Sequence, residues 1–137
     1  MVKDEGTATR TVVVANQTTT SAWTGSYSIL IVTPGQTNYT YTDGAIISST
    51  LNNHLSFNKF GDYSNAERLL DFKVNGSGTI DIPSQTFKCG TPAVTRTFSG
   101  SGSITSGTGG AGSILTLSVA ETTNGSTVNS IYTCTKQ

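Results

Sequence analysis

The stretch Ala22-Trp23-Thr24-Gly25-Ser26-Tyr27-Ser28-Ile29-Leu30-Ile31-Val32-Thr33-Pro34-Gly35 decides the fold class. Successive side chains of a strand point to opposite faces. Trp23, Gly25, Tyr27, Ile29 and Ile31 therefore share one face, and Thr24, Ser26 and Ser28 the other, until Leu30 and Val32 blur the contrast. Pro34-Gly35 ends the run in a turn, with proline pre-setting φ and glycine accepting positive φ.

The same punctuation continues downstream. Asn38 to Tyr41 alternates tyrosine with polar residues, Asp43-Gly44 reads as a hairpin turn, and Ala45-Ile46-Ile47 resumes a strand. Leu51, Leu55 and Phe57 mark the next strand, beyond a turn at Asn52-Asn53. Ser64-Asn65-Ala66-Glu67 has the form of a capping box. It predicts one turn of helix or a polar loop over 63–68, before a strand through Leu70, Phe72 and Val74. The segments 79–82, 85–89, 93–104, 113–119 and 127–135 follow, each bounded by Gly, Pro or Asn. Roughly eight strands at about ten-residue spacing predict an all-β antiparallel meander, closed as a barrel or, alternatively, folded as a β-sandwich.

Residues 22–137 read as a single domain, and 1–21 as an N-terminal arm. Within the arm, Val12-Val13-Val14-Ala15 is the one β-prone run. Left in water it would form an adhesive edge, so it is expected to pair as an extra strand on its own sheet, or on a neighbouring molecule by strand addition. Met1-Val2-Lys3-Asp4-Glu5-Gly6 looks like a start placed on a trimmed chain.

Composition narrows the function. The 137 residues carry a formal net charge of zero and only 12% charged residues, so no basic surplus exists to neutralise phosphates and nucleic acid is not an expected partner. Hydrophobic residues are 34%, with Thr, Ser, Gly and Asn making up the difference. No apolar run is long enough for a membrane helix. Cys89 and Cys134, an even count in a small domain expected to be exported, are expected to form a disulfide, with two buried thiols as the alternative. Closing that loop would stabilise the fold by about 4 kcal/mol in the chain-entropy account. The four Asn-x-Ser/Thr sites at Asn16, Asn38, Asn75 and Asn124 carry function only where the host glycosylates.

Catalytic and metal motifs are weak. Gly107-Thr108-Gly109-Gly110-Ala111-Gly112 has the G-x-G-x-x-G spacing, but a strand and not a helix follows it, so it reads as a hairpin loop. His54 is the sole histidine, without a Gly-x-Ser-x-Gly elbow to supply a positioned nucleophile. One His and two distant Cys do not make a usual zinc site. Asp62, Asn65, Glu67 and Asp71 could offer oxygens to calcium but fail the EF-hand spacing. The chain is expected to be no enzyme and to need no cofactor or metal. The aromatics are the remaining candidates for ligand contact. Trp23 and Tyr27 read as core or as the wall of a cavity; Tyr39 and Tyr41 read equally as a cross-strand ladder or as a stacking platform.

Five pieces taken together carry a resemblance. They are Trp23-Thr24-Gly25-Ser26-Tyr27, Leu55-Ser56-Phe57-Asn58-Lys59-Phe60-Gly61, Ile80-Asp81-Ile82-Pro83-Ser84-Gln85-Thr86-Phe87, Phe98-Ser99-Gly100-Ser101-Gly102-Ser103-Ile104 and Tyr132-Thr133-Cys134-Thr135-Lys136. In this order the chain resembles small lipocalin-like lipoproteins of Bacteroidetes-type bacteria, in which Lys, Asp and Glu often follow the lipidated cysteine. Lys3-Asp4-Glu5 looks like that run with Met1-Val2 in place of the anchoring end, so Met1–Gly6 is expected to be the loosely held remnant of a membrane tether. The resemblance implies a barrel-like fold and a place in the cell envelope, at the periplasm or outer surface, with membrane attachment only through a lipid anchor. The expected function is non-enzymatic binding of a small apolar molecule or a glycan through Trp23, Tyr27, Tyr39 and Tyr41. The alternative is a structural or interaction protein of the envelope with a solid core.

Overall fold

A computed structural model describes residues 21–47 and 53–137. The arm strand expected at Val12–Ala15, the tether at Met1–Gly6 and the strand position Leu51 lie outside the described residues. Of the described residues, 63% are in strands. The strands are β1 (Gly25–Val32), β2 (Tyr39–Ile47), β3 (His54–Phe57), β4 (Leu70–Val74), β5 (Thr79–Cys89), β6 (Val94–Ser106), β7 (Ile114–Thr123) and β8 (Ser126–Lys136). Each pairs antiparallel with its chain neighbours, and β1 also pairs with β8. The result is a closed eight-stranded up-and-down barrel, the lipocalin-like alternative and not the sandwich. Closure satisfies the hydrogen-bonding edges that an open sheet would expose.

Two turn signals do not act as turns. Asp43-Gly44 sits inside β2, which runs unbroken from Tyr39 to Ile47. The Asp43 carboxylate faces inward and takes the Gly44 and Lys59 amides, so its side chain serves a distant loop and no local turn forms. Pro83-Ser84 likewise interrupts nothing: β5 continues through it with a register shift between Ile82 and Gln85. A bulge tolerates a proline that the regular ladder would reject.

The capping box forms no helix either. Glu67 uses its carboxylate on the Lys88 amide at 2.6 Å, and the Ser64 hydroxyl pairs with Thr91. Asn65 adopts positive φ. The helical element between the strands is a 3-10 turn a few residues earlier, Phe60–Asp62.

Alternation fills the barrel. Leu70, Phe72 and Val74 of β4 and Ile80, Ile82, Phe87 and Cys89 of β5 point inward. Phe57 stacks on Phe72 at 4.8 Å and meets Tyr27 edge-on at 5.9 Å. On β6 the inward positions after Phe98 are Gly100 and Gly102. A Cβ at either would collide with the backbone of β7, at Ser118 or Thr116. The Ser-Gly-Ser-Gly run is therefore what lets β6 bend around the barrel against β7.

The disulfide expectation is overturned: Cys89 and Cys134 are free, buried thiols. Cys134 lies on β8 opposite Ile29 and Leu115, whereas Cys89 ends β5 opposite Val94. Three strand spacings of roughly 4.8 Å separate β5 from β8 along the wall, beyond the reach of a bridge. Burial pushes the Cys134 thiol up to about 12, and raises Cys89 as well.

One end of the barrel is sealed. Trp23 is buried beneath it, and its carbonyl accepts the Tyr27 hydroxyl at 2.6 Å. Lys136, at the end of β8, donates through Nζ to the carbonyls of Ala22 and Gly109 at 2.9 and 2.7 Å. The other end is framed by the β1–β2 connection, the 3-10 turn and the β7–β8 hairpin.

Candidate functional site

The framed end holds a cavity of about 410 Å3. The β3–β4 connection sets its depth. Both Asp43 oxygens accept the Lys59 amide, at 3.2 and 3.1 Å, and the Tyr41 hydroxyl accepts the Gly61 amide at 2.9 Å. These bonds hold the loop across the barrel and drive Phe60 down into it. There Phe60 stacks on Tyr132 at 4.6 Å and meets Phe98 edge-on at 5.6 Å. Phe60 is thus a plug: below it the interior is solid, above it the cavity is open. Gly61 turns the chain at positive φ, and a Cβ there would press on the Tyr63 ring.

One wall is a charge-balanced cluster. Glu121 Oε2 accepts the Tyr63 hydroxyl at 2.6 Å and Arg96 Nη1 at 3.4 Å. Arg96 lies over the Tyr63 ring, 4.1 Å from its centroid, and also donates to Thr123. Across the mouth, Asp62 accepts Tyr39 at 2.5 Å and the Lys59 ammonium at 2.9 Å. Those two donors hold the Asp62 carboxyl below the usual carboxylate range. Each carboxylate therefore meets a cation, and among the described residues no unpaired cation lines the cavity.

Two polar atoms are left over. Tyr132 is only 3% exposed as a residue, and its hydroxyl makes no hydrogen bond with the described residues; since no buried side-chain polar atom among them lacks a partner, that oxygen is open to water at the cavity. Burial, with Glu121 nearby, pushes that phenol far above its ordinary range, so it stays a neutral donor and acceptor. Glu121 Oε1 is likewise unused, since both bonds go to Oε2. Higher up, Thr33 and Ser130 share a hydrogen bond at 2.6 Å, and Ile31, Val119 and Val128 supply apolar wall.

The four aromatic candidates separate. Tyr39, half exposed, lines the cavity mouth. Tyr41 is buried beside it, ring centroids 6.3 Å apart, and holds the loop. Trp23 and Tyr27 are core at the sealed end and do not line this cavity. Sequence reasoning passed over Tyr63, Glu121, Ser130 and Tyr132. One signal was available for Glu121: it is the only charged residue between Arg96 and Lys136.

The remaining candidates do not converge. His54 lies on the outer wall with Nδ1 2.5 Å from Asp71. Asn65 and Glu67 turn to Thr91 and Lys88, away from Asp62 and Asp71. Among the described residues no three His, Cys, Asp or Glu side chains come together as a metal site. Gly107–Gly112 is a loop between β6 and β7. No helix among the described residues is long and apolar enough to cross a membrane. In comparisons with known proteins, no family model, curated protein or solved structure matches the chain.

Proposed function

We propose that this chain is a non-enzymatic binding module of the cell envelope that holds a small uncharged molecule in the cavity at the open end of its barrel. The observation that carries the reading is a cavity of about 410 Å3 bordered by Tyr132, a residue only 3% exposed whose hydroxyl meets water there and no described side chain or backbone group. A hydroxyl that only water completes at a cavity wall is a place for a ligand's polar group to bond in the water's stead. The size is that of an ordinary small-molecule site. The ligand is uncharged because the lining offers it no unpaired cation and both nearby carboxylates are already paired.

The envelope location rests on Lys3-Asp4-Glu5, on the charge-poor Thr/Ser-rich composition and on the family resemblance. The rival reading, a structural protein, is favoured by one observation: the barrel beneath Phe60, including Trp23, Tyr27 and Ile29, is filled with side chains.

Native mass spectrometry of the protein taken from its host tests the choice. A bound small molecule is expected, and it should be lost from Ser130→Trp, which fills the mouth while leaving the core alone. Protein that travels empty, with no small molecule in a broad panel raising its melting temperature, would favour the structural role.

A further inference from the structure

We infer that the ligand of this cavity is a sugar residue of a neutral glycan, recognised by a hydroxyl placed between Tyr132 and Glu121. This deepens the preceding reading and rests on it. Three observations lead there.

First, an aliphatic or purely aromatic ligand would bury the Tyr132 hydroxyl and Glu121 Oε1 against carbon. That would cost each group its water with no replacement. A ligand hydroxyl answers both at once: it accepts from Tyr132 and donates to the carboxylate. Tyr63 and Arg96 hold that carboxylate through Oε2, at 2.6 and 3.4 Å, which leaves Oε1 without a hydrogen bond from the described residues. A hydrogen bond to a charged acceptor is the stronger kind.

Second, the mouth repeats the same chemistry. Tyr39 and Tyr63 donate their protons to Asp62 and Glu121, which leaves each phenol oxygen free to accept. Thr33 and Ser130 bond to one another, so one of their two protons remains to donate. Several hydroxyls spread over a rigid ring match this spacing of donors and acceptors; a single polar head on a long apolar tail does not.

Third, the wall divides about evenly between polar and apolar surface. Ile31, Val119 and Val128 offer the C–H face of a sugar ring a patch to lie on, and Tyr39 at the rim offers an aromatic edge. The cavity opens to solvent between loops, so the rest of a glycan chain can lead outward.

Methyl glycosides of glucose, galactose, mannose, fucose and N-acetylglucosamine, titrated to tens of millimolar and followed by amide chemical shifts, are the probes. The neutral apolar dye N-phenyl-1-naphthylamine serves as the competing class. At least one glycoside is expected to shift the amides of Glu121, Ser130 and Tyr132. Tyr132→Phe, which deletes one oxygen and keeps the ring stacked on Phe60, should weaken that glycoside about tenfold. The variant's melting temperature reports that the barrel is intact. Dye bound in the cavity with no glycoside effect would overturn the sugar assignment and leave the binding module standing. No effect of either class would overturn both. Glycoside binding unchanged in Tyr132→Phe would overturn the role given to that hydroxyl.

Discussion

Asp43 offers the sharpest test of how the open end is built. Its side chain is 3% exposed, inside a β-barrel, and it accepts two backbone amides: Gly44 at 2.7 Å and Lys59 at 3.1–3.2 Å. Asp43→Ala leaves both amides without that acceptor. At about 1.5 kcal/mol for each charge-assisted bond, the loss is about 3 kcal/mol, or about 10 °C in melting temperature for a domain of this size. Asp43→Asn keeps one oxygen for both amides and removes the buried charge, so it should cost under about 1 kcal/mol. The two variants also separate on pH. Burial raises the Asp43 carboxyl above its ordinary value of 3.8. A raised folded pKa means the folded state holds the proton more tightly than the unfolded chain. The associated stability is complete below the ordinary carboxylate range and is lost as pH rises through the raised value. The stability of the unsubstituted protein minus that of Asp43→Asn should therefore fall as pH climbs above about 4 and then level off. Urea denaturation of both proteins from pH 3 to 8 reads this directly, and other carboxylates cancel in the difference. A flat difference, or one that grows with pH, would refute the picture of a desolvated carboxylate holding the loop.

Other expectations follow from single contacts. The thiols of Cys89 and Cys134 should resist a disulfide-exchange reagent at pH 8 in the folded protein and react with two equivalents after unfolding; dithiothreitol should leave the melting temperature unchanged. Tyr27→Phe deletes the buried bond to the Trp23 carbonyl and should cost about 1 kcal/mol in chemical denaturation, with no effect on ligand binding at the far end. Gly102→Ala places a methyl against the Thr116 carbonyl and should destabilise by at least about 3 kcal/mol or give insoluble protein. The alanine variant folding with near-normal stability would show that β6 and β7 do not approach as closely as described.

The strand pattern was legible because half-buried strands write themselves as alternation, and the Gly, Pro and Asn between them mark most of the turns. Asp43-Gly44 and Pro83-Ser84 were misread for one reason. Turn propensity is local, whereas what holds these residues in strands is distant: the Lys59 amide for Asp43, and the bulge opposite β6 for Pro83. Ser64 and Glu67 matched a capping pattern but found better partners in Thr91 and Lys88, which only the folded chain brings near. The candidate site was scarcely readable. Tyr39, Tyr63, Glu121 and Tyr132 come from separate segments, and their meeting is a property of barrel closure. Trp23 and Tyr27 share a strand face whose alternation reads the same for a solid core as for a cavity wall, and here both are core.

The join between β4 and β5 has a consequence for how this wall breathes. The two strands share only two register pairs, Lys73 with Asp81 and Val74 with Ile80. Beyond them the Gln85 carboxamide stands in for a peptide group: Oε1 accepts the Asp71 amide and Nε2 donates to the Asp71 carbonyl, both at 2.7 Å. A ladder bond breaks only when backbone moves, but this fastener lets go when one side chain turns about its own bonds. Local opening at the join then needs less free energy than opening elsewhere in the wall. In hydrogen exchange the Asp71 amide should trade its proton well before those of Ile29 and Leu117, and it should do so without the rest of the barrel coming apart.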